Sequence, residues 1–256
     1  MKNIILLTFT CFTFLNCSDT KKGKQEAENQ NYPKDLSAVF EAHGGKEKWD
    51  AMQTLSYDLG KGADRQSYQV DLKSRMDKTE AENFTMGFDG AKVWLVQDSA
   101  YYKPERARFT HDLMFYFYAM PFVLGDPGIT YSKADPLQFE DNNYPGIKIA
   151  FDDGVGESSK DEYILYYDAQ TSKMQWLAYT ATFGDAQKST KFSYIKYNDW
   201  QSVNGILLPQ TLQWYSLEDG KPTSMRNEMK FDNVSVSDNK IDAQNFQKPE
   251  NGIFTD

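Results

Sequence analysis

The chain has 256 residues, 40% of them hydrophobic and 25% charged, which leaves room for one large globular domain or two small ones. Its 37 acidic residues outnumber the 28 basic ones, and a formal charge of −9 excludes the basic surface that a nucleic-acid partner needs. Two cysteines exclude a disulfide scaffold, while 17 Phe, 16 Tyr and 5 Trp at a mean hydropathy of −0.68 point to many strands with one wet side.

Lys2 gives a positive start, and residues 4–15 carry no charge. That run is shorter than the roughly 20 residues a spanning helix needs, and it fits the core of a signal peptide over residues 1–16. It ends in Phe14-Leu15-Asn16-Cys17, which resembles the lipobox of bacterial lipoproteins. The resemblance implies cleavage before Cys17 and lipidation of that residue, with Cys11 discarded. Residues 18–32 hold lysines and glutamates with little that can be buried, and read as a flexible tether after the lipidated Cys17. Residues 33–256 then form one folded domain.

Within that domain Asp35 is placed to cap a helix carrying Leu36, Val39 and Phe40, which Gly44 ends. Gly45 starts a second short helix with Trp49 and Met52 one turn apart. After Thr54 the period changes to that of strands: Tyr68, Val70 and Leu72 alternate, as do Phe84, Met86 and Phe88, and Asp89-Gly90 marks a hairpin into residues 91–96. Further strands read over 147–151, 163–167, 173–183, 190–197, 206–215 and 226–236, with turns at Asn204-Gly205 and Asp219-Gly220. About ten strands joined by short turns imply one antiparallel meander. Residues 109–124 break the pattern and read as a single buried aromatic helix, stopped or bent near Pro121.

The Ala-His-Gly-Gly run with Trp49, the Asp168–Trp176 turn and Tyr197-Asn-Asp-Trp200 through Val203-Asn-Gly-Ile-Leu-Leu-Pro209 resemble, in this order, the outer-membrane lipoprotein carriers of the lipoprotein-sorting superfamily. The resemblance covers most of the chain after residue 33. It implies a mainly β fold with α elements: a large curved antiparallel sheet, or half-barrel, with N-terminal helices and the aromatic helix on the concave face. It also implies a space between sheet and helices that holds acyl chains or other apolar molecules.

Residue chemistry gives little else. Two histidines are too few for a usual zinc site, no His-Glu-x-x-His or Gly-x-Ser-x-Gly occurs, and no metal or cofactor is expected. His43 reads as a packed or capping residue. His111-Asp112 has no visible partners, and an enzyme built on it ranks behind a binding protein. Residues 184–189 lack the second glycine of a phosphate loop. Residues 141–146 read as a turn, since Pro145 stands where a calcium loop needs an oxygen. The functional lead is aromatic: Tyr116, Phe117, Met120 and Phe122 would face Trp94, Trp176 and Trp214 around an apolar pocket. The expectation is a monomeric envelope lipoprotein of the outer membrane that binds a lipid or other apolar ligand, its partners being the membrane through Cys17 and that ligand. The alternative is an interaction lipoprotein with a filled core.

Overall fold

The structure, a computed structural model, describes residues 32–152, 161–181 and 189–255. The expected signal peptide, Cys17 and the expected tether up to residue 31 lie outside the described residues, as do residues 153–160 and 182–188.

Two helices open the body. α1 (Lys34–Ala42) buries Leu36, Val39 and Phe40, and α2 (Lys46–Ala51) buries Trp49. Asp35 lies inside the first turn of α1, after Pro33 at the cap, so its charge meets the helix dipole and its side chain makes no cap. Gly44, at φ +107°, sits where a Cβ would strike the Gly205 carbonyl oxygen, so only glycine lets the α1–α2 turn lie against the 204–205 turn. Tyr32, placed by sequence at the end of the tether, packs its ring on Phe40 at 5.0 Å and belongs to the folded body.

The strands are β1 (Thr54–Leu59), β2 (Gln66–Asp71), β3 (Asp77–Ala81), β4 (Phe84–Phe88), β5 (Val93–Gln97), β6 (Ile129–Phe139), β7 (Asn142–Phe151), β8 (Glu162–Tyr167), β9 (Met174–Tyr179), β10 (Ser193–Val203), β11 (Ile206–Glu218), β12 (Lys221–Ser237) and β13 (Ile253–Phe254). They form one antiparallel sheet in the order β13-β5-β4-β3-β2-β1-β12-β11-β10-β9-β8-β7-β6. The sheet is open, a half-barrel edged by β13 and β6. β12 joins its halves, pairing with β11 through its first half and with β1 through its second. The expected meander is present, with β3, β6 and β13 added to the strands legible in sequence. Residues 142–146 are strand rather than turn; the reversal falls at Glu140 (φ +52°) and Asp141.

β5 and β6 are consecutive in the chain and lie toward opposite edges of the sheet, so the segment joining them has to cross the inner face. That segment is the expected aromatic helix in three pieces: α3 (Pro104–Thr110), α4 (Leu113–Tyr118) and a 3₁₀ turn over Phe122–Gly125. The expected single helix over 109–124 is therefore not formed. The chain turns at His111-Asp112, where a side chain is drawn to the sheet, and the Met120–Pro121 bond is cis.

The outer face carries a second core. Gly146 is the first residue of β7 paired with β8; on the far side of it the β6–β7 tip folds across the outside. A Cβ at Gly146 would press on the Tyr166 ring and the Ala134 methyl, so glycine permits the fold. The fold brings Phe139 of β6 within 4.6 Å of Trp176 and 5.5 Å of Tyr215 (ring centroids), although β9 and β11 are three and five places away in the sheet, about 14 and 24 Å if it were flat. Asp135-Pro136, at the register shift in β6, makes the bend.

Candidate functional site

The inner face of the sheet and the segment crossing it enclose the principal core. Phe115, Phe117, Tyr118, Met120 and Phe122 are buried there against Tyr57, Leu177, Ile195, Tyr197, Leu212, Trp214 and Phe231. Tyr118 lies between Phe231 at 3.9 Å and Tyr57 at 4.8 Å, and Phe122 stacks on Trp49 at 4.7 Å. Such ring pairs contribute about 0.5–1.5 kcal/mol each beyond simple burial.

Tyrosines of the sheet and of the stretch before α1 hold the buried C-terminal part of this segment. The Tyr197 hydroxyl donates to the Phe117 carbonyl at 2.7 Å, Tyr131 to that of Leu124 at 2.6 Å and Tyr32 to that of Gly125 at 2.9 Å. They satisfy carbonyls that a helix end leaves without intrahelical partners.

The seam between α4 and the sheet reaches solvent along one side. Leu113, Met114 and Tyr116 of α4 are only half-buried, as are Phe151, Tyr163 and Tyr179 on β7, β8 and β9. Phe151 meets Tyr163 at 5.5 Å, Tyr163 meets Tyr179 at 6.4 Å, and Tyr179 meets Phe117 at 4.8 Å. Trp214 donates its indole N–H to the Tyr179 hydroxyl at 3.2 Å. Rings and hydroxyls thus lead from the surface to the interior. Nearby, α3 and the end of β9 border a groove of about 430 Å³ lined by Lys103, Glu105, Arg106, Phe109 and Ala181. Burial holds the Tyr163 hydroxyl well above the usual phenol range, with the charge of Asp161 adding to it, so it stays a neutral donor.

The sequence-selected aromatics are therefore divided. Tyr116, Phe117, Met120, Phe122 and Trp214 share the inner seam, with the Trp214 ring 6.2 Å from that of Phe117 between centroids. Trp94 and Trp176 do not face α4. Trp94 points to the other side of β5, where its indole N–H donates to the Phe246 carbonyl at 2.8 Å, and Trp176 is the centre of the outer core. Strand parity explains this: Val93, Leu95 and Leu177 occupy the inward positions, and the tryptophans alternate with them.

A polar tie interrupts the apolar seam. His111 Nδ1 donates to Asp77 Oδ2 at 2.6 Å, with the side chains 3% and 4% exposed. Burial opposes the imidazolium, but the hydrogen bond and charge of Asp77 outweigh it and hold the His111 pKa above its usual value. His43 is the opposite case. Burial pushes its pKa down to about 4, and Nδ1 donates to the Val39 carbonyl at 2.7 Å, so it is neutral and structural. Asp77 had no sequence motif; its signal is a carboxylate at an inward position of a strand, two residues from the buried Thr79.

A family model matches residues 53–230. The chain belongs to a family of unknown function, DUF6503. The match begins just before β1 and ends within β12, so it takes in the crossing segment and both faces of the seam. No curated protein matches the sequence. Among solved structures this DUF6503 chain is similar to a LolA superfamily protein from Nitrosomonas europaea, at 11% identity and a TM-score of 0.45, over 83% of this chain and 97% of that one. It is also similar to a putative outer membrane lipoprotein-sorting protein domain from Vibrio parahaemolyticus, at 10% identity and a TM-score of 0.41, over 82% and 97%. Among the described residues no helix is long and apolar enough to cross a membrane, and no cluster of three or more His, Cys, Asp or Glu side chains gathers.

Proposed function

We propose that this protein is an envelope lipoprotein, anchored through Cys17, that holds an acyl chain or similar apolar molecule between α4 and the inner face of the sheet. The observation that carries the reading is the half-buried rim of Leu113, Met114, Tyr116, Phe151, Tyr163 and Tyr179, which joins solvent to an interior lined mainly by aromatic and aliphatic side chains. Ligand sites of this kind are apolar walls with a few placed polar groups, and the Tyr163 and Tyr179 hydroxyls supply those groups. Among the described residues the seam is packed by side chains, so an entering chain would have to displace α4.

A second reading is favoured by the ring stack of Tyr57, Tyr118 and Phe231: a filled core, with the lipoprotein acting through protein partners. Native mass spectrometry of the chain from Ser18 onward, produced in a bacterial periplasm, separates the two. An acyl species released on denaturation supports the first reading. A bare mass under every mild extraction condition refutes it.

A further inference from the structure

The crossing segment is tied to the sheet by two charged contacts that come from one hairpin. The turn after β2 is built by Asp71, whose Oδ1 accepts from the Lys73 and Ser74 amides at 2.9 and 2.8 Å. It sets Arg75 at φ +61°, a left-handed conformation unusual for a residue with a side chain. Arg75 Nη2 reaches Asp126 Oδ2 at 2.6 Å, just past the 3₁₀ turn, and its guanidinium lies 5.0 Å from the centre of the Phe115 ring. Two residues on, Asp77 takes His111, just before α4. The β2–β3 hairpin therefore grips α4 on both sides, once with an arginine that keeps its charge and once with a histidine that can lose it.

The His111 tie is set among groups that depend on its proton. Its Nε2 is buried without a hydrogen bond, and the nearest charge to it is Asp112 Oδ2 at 3.9 Å. Asp77 faces it from β3 and Arg108 from α3; the Phe88 ring of β4 lies 5.5 Å away and brings no charge. Tyr57 of β1 and Tyr68 of β2 adjoin Asp77, both held neutral by burial. The Tyr57 hydroxyl and Thr79 Oγ1 are also buried without hydrogen-bond partners. Burial pushes the Asp77 carboxyl above its usual value against the pull of His111 and of the Phe88 amide, the other groups that favour its charge. When the Nε2 proton leaves, the Nδ1–H can still donate to Asp77, but the ring no longer carries a charge between two carboxylates, and the buried Asp77 loses its counter-charge.

We propose that the Asp77–His111 pair is a proton-dependent latch on the segment carrying α3 and α4: it holds the segment on β3 while His111 is charged and loosens when His111 is neutral. As a gate to the apolar seam, the latch rests on the ligand reading given above; as a motion of the segment, it is measured independently of any ligand. His111 is held above the unfolded histidine value near 6.5, so the stabilisation is complete below about pH 6.5 and is lost as pH rises through the folded value.

The test is amide hydrogen exchange on the chain from Ser18 onward, whose folded body begins at Tyr32. Rates are divided by those of the unstructured chain at each pH. The protection of residues 104–125 is expected to fall on the order of tenfold per pH unit above about 6.5, until the folded value is passed, while β10 and β11 hold theirs. Asp77→Asn and His111→Gln should each remove the slope, so either suffices if the other fails to fold. Arg75→Gln should lower protection uniformly and keep the slope. A flat wild-type profile, or an equal slope in His111→Gln, overturns the latch whether or not a lipid binds. An intact slope in a protein that takes up no fatty acid supports the latch and refutes its role as a gate to a ligand.

Discussion

The two histidines occupy buried corners of the same fold and are held in opposite states. His43 closes α1 with its Nδ1–H on the Val39 carbonyl, its own carbonyl on the Leu207 amide at 2.8 Å and its ring edge against Trp200 at 4.5 Å. The Val39 hydrogen bond favours the charged ring, but burial outweighs it and, with the charge of Lys173, keeps the ring neutral. His111 is nearly as deep, but a carboxylate meets its Nδ1 and a second one stands near its Nε2. The lesson is that burial alone does not set a histidine's charge; what the sheet presents to it does. One corner is a fixed joint between helix and hairpin, and the other depends on pH.

The largest expected effect in breaking this contrast belongs to Asp77→Asn, which strips the buried pair of one partner and should cost about 3–5 kcal/mol in urea unfolding at pH 6. A cost below about 1 kcal/mol would mean the pair is not a buried ion pair. Next comes acidification. The folded pKa of His43 is depressed to about 4, so its contribution is present above the unfolded value and is lost as pH falls from about 6.5 toward 4, by up to about 3 kcal/mol. His43→Asn, which can keep a donor to Val39, should flatten that acid limb and leave the alkaline behaviour of residues 104–125 unchanged. Arg75→Gln should cost about 1 kcal/mol, since its pair with Asp126 is partly open to solvent. Least is Lys46→Gln, whose i,i+4 pair with Asp50 should be worth only about 0.3–0.5 kcal/mol by thermal unfolding.

Much of the fold was legible because antiparallel meanders announce themselves locally: Asp89-Gly90 and Asn204-Gly205 stand at the turns where they were placed, and the alternation through Tyr68 and Val70 marks β2. β3 was not legible, because Asp77 and Thr79 put polar groups at its inward positions. β6 was missed because most of it is exposed and its buried residues, Leu137 and Phe139, serve the outer core. The site was half legible. Uncharged aromatics marked α4, and the turn-forming Pro121 marked its end, but composition cannot tell which face a tryptophan takes. Trp94 and Trp176 are as aromatic as Trp214 and lie on the other side of the sheet. The partners Arg75 and Asp77 are separated from Asp126 and His111 by dozens of residues, and only the crossing of the inner face brings them together.

The proposed function requires that the inner seam, and not the outer core, accept an apolar molecule. Its most direct test is an NMR titration of the chain from Ser18 onward with lauric acid below its micelle concentration. Saturable shifts at residues 113–118, Tyr163, Tyr179 and Trp214, with residues 137–144 unmoved, are the expected result. Absent shifts, or shifts confined to Phe139, Trp176 and Tyr215, would contradict it.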